Sequence, residues 1–217
     1  MSTLNLFTSP AFEPVTTAEI WAHLRVNLSG SPAVPDDAAL IAAYVAAART
    51  HIDGRDGWLG RAICPQVWDM SIDAFPPGRG SIWLALPPVR SITSITYLDS
   101  DGASQTLATT VYQLGADKDL RPRIDLKYGQ SWPTTYDVPD AVTVRFAAGY
   151  SSGNSPDDAS GVPFTIKAAI MLMVGHMYEN REEVVTGTIA TVMPKAVERL
   201  LMPYYRTRTI ADANRNA

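Results

Sequence analysis

The sequence predicts an α+β protein in which a helical domain is interrupted by a small antiparallel β-sandwich or barrel. Three observations lead to that fold class. Residues 163–179, opening on Pro163-Phe164-Thr165-Ile166 and closing on His176-Met177-Tyr178-Glu179, carry apolar residues at helical spacing. From about Arg61 to Tyr150 the apolar residues instead alternate with period two. Helical spacing also marks residues 16–26 and 35–52 before that region and 194–204 near the end. The expected domains are therefore a helical unit of residues 1–60 and 151–205, an inserted β-rich unit of 61–150, and a mobile C-terminal tail of 206–217.

In order, Thr16 and Glu19 form a capping-box pattern before Ile20 and Leu24, which predicts a short first helix. Ser29-Gly30-Ser31-Pro32 breaks it. Pro35-Asp36-Asp37 then starts a longer helix whose acidic pair suits the positive end of the helix dipole, with Leu40, Ile41, Tyr44, Val45, Ala48 and Ile52 at the 3.6 period. The alanines between them permit close approach of another helix. Gly54 to Gly60 ends the segment.

Val67 to Ala74 places Trp68, Met70, Ile72 and Ala74 on one face of a half-buried strand. Ser81 to Leu86 and Ile92 to Leu98 read likewise, with Pro87-Pro88 between them and the turn dipeptide Asp101-Gly102 after the second. Tyr112-Gln113-Leu114, Arg123 to Leu126 and Ala141 to Phe146 complete six or seven short strands. Ser151 to Gly161 is a Gly/Ser/Asp linker.

The helix after Pro163 has two apolar stripes, Ile166, Ile170, Val174, Met177 and Phe164, Ala168, Met171, Tyr178, so it is expected to be enclosed by other elements. A carboxylate at Ile170 or Met171 is expected to unfold the helical domain. The run is shorter than the roughly 20 residues a membrane span needs, and Lys167 interrupts it. Val184 to Val192 reads as an extended loop. Pro194 starts a last helix with Val197, Leu200, Leu201 and Tyr204 on one stripe.

A net charge of −4 over 217 residues, with 46% hydrophobic residues, describes a globular chain with no demand for nucleic acid. The one cysteine, Cys64, permits no internal disulfide, which reads as an intracellular origin. Met1 to Phe12 has no basic stretch leading into an apolar core, so no secretion signal is expected.

Catalytic patterns are weak. His23, His51 and His176 fall on three different predicted helices without a carboxylate or cysteine at ligand spacing, so no metal site is expected. Asp99, Asp101 and Gly102 lack the remaining calcium ligands and read as a turn. Asp117/Asp119 and Asp157/Asp158 are loop pairs explained by solvation. Cys64, next to Pro65, has only Arg61 nearby to activate it. No phosphate loop or nucleophile elbow occurs. No catalytic residue and no cofactor are assigned. The closing residues are more informative: Tyr204, Tyr205, Arg206, Arg208 and Arg215 are of the types enriched at protein interfaces.

The order of elements resembles the head–tail connector (adaptor) proteins of tailed bacteriophages and phage-like gene-transfer particles, in their larger members with an inserted β-domain. The residues that carry the resemblance are Val15-Thr16-Thr17-Ala18-Glu19, Asp37-Ala38-Ala39-Leu40-Ile41, and Leu86-Pro87-Pro88-Val89-Arg90-Ser91-Ile92. Val142 to Tyr150, Val162 to Ile170, Tyr178 to Glu182 and Ala196 to Arg206 add to them.

That resemblance implies a structural, non-enzymatic protein in the neck of a virion or phage-like particle, made in the bacterial cytoplasm. It implies a ring of twelve copies below the portal protein, adjoining a stopper or other tail-proximal protein, with double-stranded DNA passing through without specific binding. Carried over to this chain, Tyr204, Tyr205, Arg206, Arg208 and Arg215 would attach to the portal. Glu182, Glu183, Thr186, Gly187 and Thr188 would lie on a loop near the channel or the next ring. Removing residues 204–217 is expected to leave the fold intact and abolish portal binding. The rival readings are another completion protein, a stopper or tail terminator, and a small enzyme with its site at the domain junction.

Overall fold

The computed structural model describes residues 2–26, 35–151, 161–180 and 195–206. Its elements in chain order are β1 (Thr3–Thr8), α1 (Thr17–Leu24), α2 (Ala38–Ile52), β2 (Gln66–Ile72), β3 (Ile82–Trp83) and β4 (Val89–Leu98). Then come β5 (Ser104–Thr106), β6 (Tyr112–Leu114), β7 (Arg123–Leu126), β8 (Val142–Ala148), α3 (Phe164–Glu179) and α4 (Lys195–Leu201). The 152–160 linker, the 184–192 loop, Pro194 and residues 207–217 lie outside the described residues.

The local signals act as their chemistry requires. Glu19 N–H donates to Thr16 Oγ1 at 3.2 Å, and Thr16 N–H donates to Glu19 Oε2 at 2.7 Å, closing the capping box of α1. Those donated bonds hold the Glu19 carboxyl below its ordinary range. Lys167 of α3 lies 3.5 Å from Glu19, tying the first helix to the third.

Along β2 burial alternates strictly, with Trp68, Met70 and Ile72 inside. Asp99 turns the chain from β4 into β5 by accepting from the N–H groups of Asp101 and Ala103 through one carboxylate oxygen.

All strands pair antiparallel, in a five-stranded sheet of order β1-β2-β8-β4-β5 and a three-stranded sheet of order β3-β7-β6. Side chains of both sheets, including Met70, Val144 and Ile95 from the first and Ile82, Ile124 and Tyr112 from the second, meet in one apolar cluster. The sheets are open and stacked, as in a sandwich. The barrel alternative fails because β1 and β5 end the larger sheet without closing it.

A second cluster is helical and gathers Ile20, Ile41, Val45, Ile52, Ile166, Ile170, Val174, Val197 and Leu201. Each such side chain, fully buried, contributes roughly 1.5–3 kcal/mol.

Three expectations need correction. First, residues 3–8, assigned from sequence to the helical unit, form a strand on the edge of the larger sheet. Its signal is faint because β1 is almost wholly exposed, with Leu6 and Phe7 open to solvent. What holds Phe7 is the Arg145 guanidinium over its ring at 3.4 Å, itself paired to Asp69 through two bonds of 2.7 Å.

Second, α3 is not enclosed. Ile166, Ala169, Ile170 and Val174 are buried, and of the second apolar stripe Ala168, Met171 and Tyr178 are half-buried, but Phe164 is 84% exposed and Leu172 is also open, so among the described residues one side of the helix is uncovered. Third, residues 81–86 give only the two-residue β3, because Leu86 takes a positive φ of 55° and Leu84, Ala85 and Leu86 turn consecutively into the core.

Candidate docking site at the domain junction

Three of the sequence-assigned attachment residues, Tyr204, Tyr205 and Arg206, converge on the junction of the two clusters, where they are engaged within the chain. After α4 a 3₁₀ turn, Met202–Tyr204, brings the chain back to the segment that leaves α2. Arg206 N–H donates to the Leu59 carbonyl at 3.1 Å, and Arg206 Nη1 donates to the Leu120 carbonyl in the β6–β7 loop. The Tyr204 carbonyl accepts from Arg61 Nε at 2.7 Å, and its hydroxyl accepts from Thr165 Oγ1 at 2.8 Å. The Tyr205 ring lies 4.8 Å from that of Trp58 and stays 47% exposed.

Gly60 is required here. Its φ is +62°, and a Cβ would come within 3.1 Å of the Arg206 carbonyl oxygen.

Arg206 is thus fixed, against the expectation that the mobile tail begins with it. Arg208 and Arg215 lie outside the described residues, as do Glu182, Glu183, Thr186, Gly187 and Thr188. Residues that sequence reasoning did not assign to the site are Trp58, Leu59, Arg61, Leu120 and Tyr150. Their only sequence signal is the Gly54 to Gly60 break, which marks a turn without naming its contacts.

Arg61 is the electrostatic centre. It is 5% exposed, donates to Tyr204 O and, at 3.2 Å, to the Tyr150 hydroxyl, and has no carboxylate within ion-pair distance among the described residues. Burial pushes the Tyr150 phenol up, so the hydroxyl stays neutral beside it. Burial also lowers Arg206, and the neighbouring charges of Arg61 and Arg121 add to the effect, opposed by the smaller influence of Asp117. The root of the tail is therefore a cationic cluster.

Behind it a buried carboxylate locks the two clusters together. Asp53 Oδ1, at the end of α2, accepts from Ile63 N–H at 2.7 Å and from Gln66 Nε2 at 2.9 Å, while Gln66 Oε1 accepts from Trp68 Nε1 at 3.1 Å. Desolvation raises the Asp53 pKa above its ordinary value, against the lowering effect of these bonds. The folded chain therefore takes up this proton at higher pH than the unfolded chain. The Asp53 contribution is most favourable below about pH 3.9, the unfolded value, and is lost as pH rises through the raised folded value. Asp53→Asn removes that titration. We expect the melting temperature of the natural chain relative to Asp53→Asn to improve as pH is lowered through that window, and parallel melting curves against pH would refute it.

A cavity of about 450 Å³ beside the junction is a shallow depression lined by Arg90, Lys118, Asp119 and Tyr150 among others. No group of three or more His, Cys, Asp or Glu is placed to hold a metal ion among the described residues. Cys64 is fully buried, and desolvation pushes its thiol far up, so it is no nucleophile. No helix among the described residues is long and apolar enough to cross a membrane.

No protein-family model matches the chain, and no curated protein matches it. Solved structures do. The chain is similar to one in the neck of an empty gene transfer agent particle solved with C6 symmetry, with a TM-score of 0.72 and 24% identity over 96% of this chain and 97% of that one. A chain in the virion of a native gene transfer agent particle gives a TM-score of 0.71 and 24% identity at the same coverage. One in the neck of a native particle solved with C12 symmetry gives 0.64 and 20%, again over 96% and 97%.

The likeness runs from end to end, so the fold is that of an α+β component of a virion-like particle. More particularly, it is the fold of a chain from the neck of a gene transfer agent particle.

Proposed function

We propose that this chain is a structural head–tail connector of the adaptor type, twelve copies forming a ring below the portal that extends the DNA channel and joins capsid to tail. The observation that carries the reading is the end-to-end likeness to neck chains, 96% of this chain against 97% of the other, inserted β-unit included. The C12 and C6 symmetries of those necks favour a cyclic assembly of identical copies.

Within this reading the tail from residue 207, with Arg208 and Arg215, reaches the portal, and Tyr204, Tyr205 and Arg206 fix where it leaves the body. Glu182, Glu183, Thr186, Gly187 and Thr188 serve the channel or the next ring. Twelve identical tails give avidity without any single strong contact. A chain of net charge −4 lets DNA slide, since phosphates are held by arrays of Lys and Arg.

Quantitative mass spectrometry on particles purified from cells that carry the gene tests the proposal. About a dozen copies for each portal ring are expected. Absence from mature particles would overturn the structural role. A cross-linked neighbour other than the portal would assign the chain to a stopper or terminator ring instead.

A further inference from the structure

The cationic root of the tail carries an unusual combination of groups. Arg61 is buried with neutral acceptors only among the described residues, and Arg206 and Arg121 add like charge beside it. A buried charge is screened by water far less than a surface one, so its field reaches the surface above it. Around that point the surface is apolar. Leu120 is 61% exposed, Met202 64% and Tyr205 47%. Leu120 and Met202 are joined to the cluster by their own carbonyls, one accepting from Arg206 and the other from Tyr205 N–H.

We infer that this patch of Leu120, Met202 and Tyr205 around Arg61, Arg121 and Arg206 docks a protein surface bearing carboxylates, on the particle component that receives the tail. The inference rests on the connector reading and names the chemistry of its partner. One feature favours a protein over DNA. Apolar Leu and Met side chains gain from burial against a protein, whereas the duplex backbone offers them charged phosphates. The loop that holds Leu120 carries exposed Lys118 and Arg121 beside Asp117 and Asp119, so a partner surface that matches it sets carboxylates against the cations. Tyr and Arg side by side are the composition of residues that dominate protein interfaces. An acid on the partner supplies the counter-charge that Arg61 lacks.

Arg121→Glu tests this, because Arg121 is exposed and lies outside both apolar clusters. Two measurements are made on the full chain. The first is fluorescence anisotropy of a labelled polyglutamate peptide and, separately, of a duplex DNA of about two helical turns. The second is the copy number of the variant in particles.

The natural chain is expected to bind polyglutamate at least about tenfold more tightly than Arg121→Glu, with Arg121→Lys restoring most of the difference and all three melting alike. Incorporation into particles should fall by a similar factor for Arg121→Glu. Equal polyglutamate binding by the natural chain and the variant would overturn the inference, as would tighter binding of the DNA. A self-association that Arg121→Glu abolishes would make the occupant a second copy and overturn it as well. Normal incorporation of Arg121→Glu would sink the docking patch and leave the connector reading standing, whereas absence of the natural chain from particles sinks both.

Discussion

Ile170→Asp is expected to abolish the cooperative thermal transition of the helical cluster, while Met171→Asp leaves a folded chain with a lowered midpoint. Sequence spacing treats the two positions alike, as neighbours on an apolar helix. The structure separates them. Ile170 has no exposed surface and belongs to the cluster of Ile41, Val45, Ile166 and Val174, all apolar. Placing a charge there removes a side chain worth roughly 1.5–3 kcal/mol and adds the desolvation of an unpaired ion, several kcal/mol more. That sum approaches the whole stability of a typical domain, about 5–15 kcal/mol. Met171 is half-buried at the edge of the same cluster, so its carboxylate keeps contact with water. Circular dichroism melts of the two variants decide the matter. Two equal, small shifts would mean that α3 is not the centre of the helical core.

What the sequence made legible was periodicity enforced by burial. Strand β2 shows it best: Trp68, Met70 and Ile72 point inward and Asp69 and Ser71 outward, because one face of the sheet is covered and the other is wet. The capping box of α1 was readable for a different reason, since Thr16 and Glu19 complete their bonds within three residues of chain.

Elements whose stability comes from distant partners left little local trace. β1 is held by pairing to β2 and by the Arg145 contact, sixty residues and more away, and of its own six residues only Leu4 packs against the core. The open side of α3 was hidden because an apolar side chain reads as core whether or not a neighbour covers it. At the junction, Tyr204, Tyr205 and Arg206 could be picked out by type. That they grip Leu59, Arg61 and Leu120 depends on how two clusters meet, and no spacing rule encodes that. The fold was therefore more legible than the site.

Deleting residues 207–217 is expected to leave the melting temperature unchanged while sharply weakening attachment to the portal, and deleting three residues more is expected to damage the fold itself. The distinction follows from the anchor. A chain that ends at Arg206 keeps every described contact of the tail root: the Leu59 and Leu120 carbonyls still accept from Arg206, and Trp58 still meets Tyr205. A chain that ends at Pro203 loses these together with the Tyr204 carbonyl that accepts from the buried Arg61. Two of the lost hydrogen bonds have a charged donor, at about 1.5–3 kcal/mol each, and one is neutral, at about 1, so the shorter chain should lose roughly 4–7 kcal/mol. Leaving Arg61 buried with only the Tyr150 hydroxyl places the loss toward the upper end of that range. The two truncations thus separate two roles that a single cut before Tyr204 would confuse. Thermal melts and a pull-down with portal protein on both chains provide the readout. Full portal binding by the chain ending at Arg206 would remove Arg208 and Arg215 from the attachment and return that role to the patch around Tyr205. Equal melting of the two chains would show that the tail root is a passenger and not a tie between the clusters.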